Sequence, residues 1–165
     1  MVEILRLIGN YRARRAVHGS PFLDQLFRRL ARCARADAEA TEERIWDVWM
    51  RHPHRAAARA LDLATRDLAA RRYDIAETRL TLLLRSVPDF AEAWHKRAVL
   101  YYLLGRDDEC LRDLRRTLEL EPRHFGAMLH FVEILRAVHA ADDVRFALRT
   151  ARSIHPHLSI PDSAA

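Results

Sequence analysis

Residues 91–124 read AEAWHKRAVLYYLLGRDDECLRDLRRTLELEPRH. The stretch divides into two short amphipathic helices, with a tight break at Gly105-Arg106 and a stop at Pro122. It also recurs. Pro88, Pro122 and Pro156 each follow a helix they cannot continue, and they stand 34 residues apart (122 − 88 = 34; 156 − 122 = 34). Self-similarity at such a period marks a stack of helical hairpins, each hiding the apolar face its neighbour leaves bare.

Composition agrees. The chain has 165 residues, half of them hydrophobic, with only 4 Gly and 6 Pro. That suits one all-α domain with a continuous core. No apolar run approaches the roughly 18 residues of a membrane span. The formal net charge is +5, and Lys96 is the only lysine. Arginines are interleaved with Asp and Glu through every helix, as on a solvated helical surface. Composition bias therefore explains them better than a nucleic-acid stripe, for which no motif stands out. Cys33 and Cys110 form no CxxC pair, which leaves zinc and redox readings without support.

In chain order, residues 1–19 form an N-terminal arm. It is either mobile or a short amphipathic helix with Val2, Leu5 and Ile8 on one side, followed by a basic cluster of Arg12, Arg14 and Arg15. Its charge order is the reverse of a secretory signal. Ser20-Pro21 starts a helix that should run to about Ala36. A second helix, from about Glu39 to Met50, carries Trp46 and Trp49 as a core seam facing back over Leu23, Leu26, Phe27 and Leu30. Residues 20–56 thus make a hairpin of the right size to cap the N-terminal end of a stack. Three repeats follow, 57–90, 91–124 and 125–158, and then a tail, 159–165.

The repeat slots hold Ala60, Leu63, Ala64, Asp67, Ala76, Leu80, Leu83 and Pro88. One period on they hold Trp94, Arg97, Ala98, Tyr101, Cys110, Leu114, Thr117 and Pro122. The third set is Met128, Phe131, Val132, Leu135, Val144, Leu148, Ala151 and Pro156. Small residues let helices approach, and large ones fill the gaps between layers. Asp89 with Glu92 looks like a capping box. These slots resemble the signature of the tetratricopeptide repeat (TPR), with Trp94, Tyr101 and Pro122 identical to it. The segment from Ala91 also looks like a group of small bacterial TPR proteins, a similarity that reaches back over the Leu23–Met50 hairpin.

The resemblance implies an all-α solenoid of about three TPRs plus the N-terminal capping hairpin. It implies a non-enzymatic adaptor that binds a protein, peptide or helix in a concave groove. Family geometry would line that groove with Leu61, Asp62, Thr65 and Leu68, then Glu92, His95, Lys96, Val99 and Tyr102, then Leu129, His130, Glu133 and Arg136. The carboxylate clamp known in some TPRs is excluded. Its places hold Leu61, Thr65, Lys96, Gly126 and His130, of which only Lys96 could grip an acid. Members of the bacterial group often carry an export signal, and none is read here. The expected compartment is the cytoplasm, or the periplasm if the true start lies upstream.

Two departures carry further expectations. Arg97 and Asp67 occupy slots that are normally apolar, and a buried charge needs a partner. Arg97 should pair with Asp67, or else with Asp113. The other departure is at the last repeat, where no further helix follows to cover Val144, Phe146 and Leu148. That face invites self-association, so a homodimer through the C-terminal repeat is the alternative function. His52, His54, His155 and His157 flank prolines and read as loop residues. His95 and His130 could meet across repeats, but no metal, cofactor or catalytic residue is expected. GxSxG, P-loop, GxGxxG and HExxH motifs are all absent.

Overall fold

The computed structural model describes residues 1–17 and 19–159. His18, and residues 160–165 of the expected tail, lie outside them. All regular structure among the described residues is helical. The helices are α1 (Val2–Gly9), α2 (Pro21–Leu30), α3 (Arg35–Trp49), α4 (Arg55–Ala69), α5 (Tyr73–Ser86), α6 (Ala91–Leu103), α7 (Asp107–Leu120), α8 (Phe125–Ala137) and α9 (Ala141–Ile154). The pairs α4–α5, α6–α7 and α8–α9 stack in sequence, α5 against α6 and α7 against α8.

The period reaches the backbone hydrogen bonds. Arg71, Gly105 and His139 hold φ angles of 57°, 67° and 57°. The next N–H in each case, of Arg72, Arg106 and Ala140, donates to the carbonyl of Asp67, Tyr101 and Leu135 at 2.8, 2.9 and 3.0 Å. This closure ends a helix on a left-handed residue. Position 105 is glycine, which adopts that conformation freely. Arg71 and His139 adopt it at a cost of about 1 kcal/mol each. At the other end of each hairpin, the N–H groups of Val87, Glu121 and His155 donate to Leu83, Thr117 and Ala151. Sequence offered Asp89 as the N-cap of α6, but Phe90 occupies that place without a side-chain bond.

The first 50 residues depart from expectation. α1 does not float: Ile4 and Ile8 bury completely, and the helix packs on α7 and α9. Glu3 pairs with Arg115 at 2.9 Å, and the Tyr11 hydroxyl meets Ser153 Oγ at 2.8 Å. Arg14 donates to the carbonyls of Leu118 and Glu119, both at 3.0 Å. Val2, expected on the buried side, is 73% exposed. The chain's own first helix therefore covers the last repeat, packing beside Val144, Phe146 and Leu148. The expectation of a homodimer assumed that no helix lies on that face; α1 does, with Val144, Phe146 and Leu148 half-buried.

The hairpin α2–α3 starts as read: Ser20 Oγ accepts the Leu23 N–H at 3.1 Å, with Pro21 first in the helix. Its turn comes earlier than expected, at residues 31–34. It does not cap α4–α5. Leu23, Leu26, Phe27, Leu30, Ile45 and Trp49 join the core of α6 to α9, whereas α4 and α5 form a separate core with part of α6. With no hairpin over them, Leu63, Ile75 and Leu82 of α4 and α5 stay exposed. The bare apolar end is the α4–α5 end.

Candidate functional site

α3 buries Ala38, Thr41, Ile45 and Trp49, spaced as one helical face. That face lies on the first turns of α6 and α8, where the groove was expected. Trp49 stacks on His124 with ring centres 4.2 Å apart and planes 8° apart. Trp46 stacks on His95 at 5.9 Å, meets Phe125 edge-on at 5.4 Å and lies 5.6 Å below the Lys96 ammonium. Gly126 makes this approach possible, since a Cβ there would sit 2.6 Å from Trp46 Cη2. Glu42, one turn before Trp46, accepts from its indole N–H at 3.2 Å and faces His155 Nε2 at 2.9 Å. The tryptophans are core residues, as expected. They reach beyond α2, where Trp49 meets Phe27, to the inner face of the repeats.

Beneath them lies a polar network whose proton positions follow from its partners. His124 Nδ1 accepts the Ala127 N–H at 3.1 Å, so Nε2 carries the proton and donates to Glu92 Oε2 at 2.8 Å. The Gly126 carbonyl can only accept, so His130 Nδ1 carries a proton, 2.9 Å from that oxygen and 3.2 Å from His95 Nε2. That nitrogen accepts, and His95 Nδ1 then donates toward Glu92 at about 3.4 Å. Lys96 completes the carboxylate at 3.0 Å. Burial pushes the His95 imidazole down to about 3, against the pull of Glu92. Burial likewise lowers His130. For Glu92, burial alone would raise the carboxyl, but His95 and His124 hold it well below the ordinary carboxylate range.

The ligand atoms of Glu92, His95 and His124 lie within 4.8 Å of one another, a spacing that would suit a metal ion. The proton inventory argues against one, because the nitrogens that face Glu92 are N–H donors. His124 Nε2 could coordinate only by giving up its cap to Ala127. What the cluster does chemically is lock the first turns of α6 and α8 under α3. Burial pushes the Cys110 thiol up to about 12, which leaves it inert.

The expected groove residues separate into two groups. Leu61 is a core residue and lines no groove. Glu92 and His95 are buried in the network under α3. Asp62, Thr65, Leu68, Lys96, Val99, Leu129, His130, Glu133 and Arg136 are half-buried. Tyr102 is 38% exposed and meets His130 edge-on at 6.1 Å. Arg97 pairs with Asp113 through two bonds of 2.7 and 3.0 Å. Asp67 is held instead by Arg72 and Arg79. Hence the Arg97–Asp67 pair does not form, and the second candidate is the partner. His155, read as a loop residue, is buried.

Sequence reasoning missed His124 as the anchor of the site and α3 as its lid. One signal was present. Gly126 stands inside a helix, where glycine without a turn marks a close approach.

Comparison with known proteins bears on residues 91–124, which match the family model described as "Tetratricopeptide repeat". The chain is also similar to a TPR repeat-containing protein of Rhizobium etli, at 31% identity over 114 residues. The match covers 68% of this chain and 56% of that protein, so the chain spans little more than half the relative's length.

Proposed function

Taking the chain as what its fold and the family match make it, a tetratricopeptide-repeat protein, we propose that it is a non-catalytic adaptor that holds a helical or extended peptide on its inner face. Tetratricopeptide repeats generally mediate protein–protein contacts, and that much is family property. The finer reading places the ligand beside α3, across α4, α6 and α8, where Val99, Tyr102, His130 and Glu133 remain accessible. The supporting observation is α3 itself. This face already receives one helix, through two aromatic side chains at i and i+3 and a carboxylate one turn earlier. An amphipathic partner helix would use the same recognition mode.

The test compares wild type with the double variant Val99→Glu, Tyr102→Ala in partner capture from the native host. Neither side chain hydrogen-bonds within the buried network, and circular dichroism with an unfolding midpoint checks that losing the Tyr102–His130 ring contact leaves the fold in place. Partners lost by the variant alone support the inner face. Capture of the same set by both proteins refutes it.

A further inference from the structure

On the side of the molecule where the N-terminal segment crosses α9, three hollows adjoin. The largest, about 820 Å³, is lined by Arg12, Arg14, Arg15, Arg28 and Arg123 together with Tyr11 and the start of α2. A second, about 400 Å³, shares Tyr11, Arg12 and Ser153 with it and adds Arg149. A third, about 350 Å³, shares Tyr11, Asp24, Arg28, Arg123 and Ser153. Together they form one groove between residues 9–16, α2 and α9, with the bonded pair Tyr11–Ser153 at its centre.

The charge of this groove is one-sided. Asp24 is the sole acid among its lining residues, and Arg123 engages it at 2.7 Å while also bonding Glu121. The other five guanidinium groups have no carboxylate partner among the described residues. Arg14 bonds only neutral carbonyls, and Arg12 bonds the Tyr11 hydroxyl. Arg15, Arg28 and Arg149 are exposed. Elsewhere some arginines are matched by acids, Arg66 by Asp62, Arg106 by Glu77 and Glu109, and Arg115 by Glu119, and those that are not, such as Arg29, Arg59 and Arg85, stand exposed on separate helices rather than together along one hollow.

We propose that this groove is a second binding surface, separate from the inner face, and that its occupant is an acidic peptide segment rich in Asp and Glu. Planar guanidinium forks match carboxylates through paired hydrogen bonds, and five unmatched charges along a groove steer an extended anion into it. A nucleic-acid strand fits less well. Strand binding relies on aromatic platforms for successive bases. Three aromatic rings line the hollows and none is a free platform: the Tyr11 hydroxyl is fixed by Ser153, Phe27 is buried beneath the Arg123 guanidinium at 4.3 Å, and Phe146 packs against Gly9.

The experiment measures fluorescence anisotropy of a labelled poly-glutamate peptide with the full chain at about 150 mM salt. The single variants are Arg15→Glu, Arg28→Glu and Arg149→Glu. Arg59→Glu and Arg85→Glu, exposed on α4 and α5, apply the same charge change elsewhere. Each groove reversal should weaken binding about tenfold, and the controls less than about twofold. Equal losses in groove and control variants would show that only net charge matters and overturn the site. No saturable binding would overturn it as well. Tighter binding of a labelled single-stranded oligonucleotide of equal charge would transfer the groove to nucleic acid. None of these variants touches the inner face, so loss of the adaptor reading would leave the result standing.

Discussion

Acidification should loosen the α3 clasp, and the size of the effect follows from His95. Its imidazole titrates near 6.5 when free and near 3 in the buried network. Between those values the unfolded chain binds a proton that the folded chain refuses, so stability falls as pH falls. The contribution is complete above about pH 6.5 and is lost progressively toward pH 3. Integrated between pH 7 and pH 5, this one group accounts for about 2 kcal/mol. His130, lowered for the same reason, adds in the same direction. Glu92, lowered rather than raised, extends the loss to still lower pH.

The assay is urea unfolding at pH 7, 6 and 5, followed by tryptophan fluorescence, for wild type and His95→Gln. Glutamine keeps a donor and an acceptor but cannot titrate. The variant should lose about 2 kcal/mol less than wild type across that interval, whatever its stability at pH 7. The histidines that do not touch residue 95 are common to both proteins and cancel, and His124 and His130, which share its network, are followed in the same samples by NMR. Parallel curves for the two proteins would refute the assignment of a neutral, buried His95. So would an NMR titration in which its ring takes up a proton near pH 6.5.

Two further perturbations test the packing. Gly126→Ala puts a methyl group 2.6 Å from Trp46 and should cost about 1–3 kcal/mol with a shifted tryptophan emission. Gly105→Ala meets nothing within 4 Å but keeps a φ of +67°, so it should cost about 1–2 kcal/mol and leave the emission alone. Arg97→Met strands Asp113, whose carboxyl burial already raises, and chemical denaturation should report a loss of about 3–5 kcal/mol. Adding Asp113→Leu should restore most of it, because removing both charges spares the desolvation of either.

The stack was legible because its determinants are local and periodic. Pro88, Pro122 and Pro156 mark the hairpin ends, and the break at Gly105 repeats at Arg71 and His139. The partner of Arg97 was narrowed to two carboxylates, and packing selected Asp113. What could not be read was where the first 50 residues settle. Periodicity shows that α3 has an apolar face but does not say which of several apolar surfaces receives it. The choice fell on the surface that Gly126 opens and that Glu92 and His124 line, residues 32 apart in sequence. His155 shows the same limit. Beside Pro156 it reads as a loop residue, yet Glu42, 113 positions earlier, supplies its bond.

The docking of α1 on α7 and α9 changes how the chain must assemble. In an open array each unit leans only on its neighbours, so order can spread from any point and losing a terminal unit costs one interface. Here α1 finds its seat on residues about 140 positions later, Phe146 among them. Ile4 and Ile8 therefore stay uncovered until α7 and α9 have been made. Once seated, they close α1 to α9 into a ring of contacts. Removing α9 should then release α1 as well, in one cooperative step.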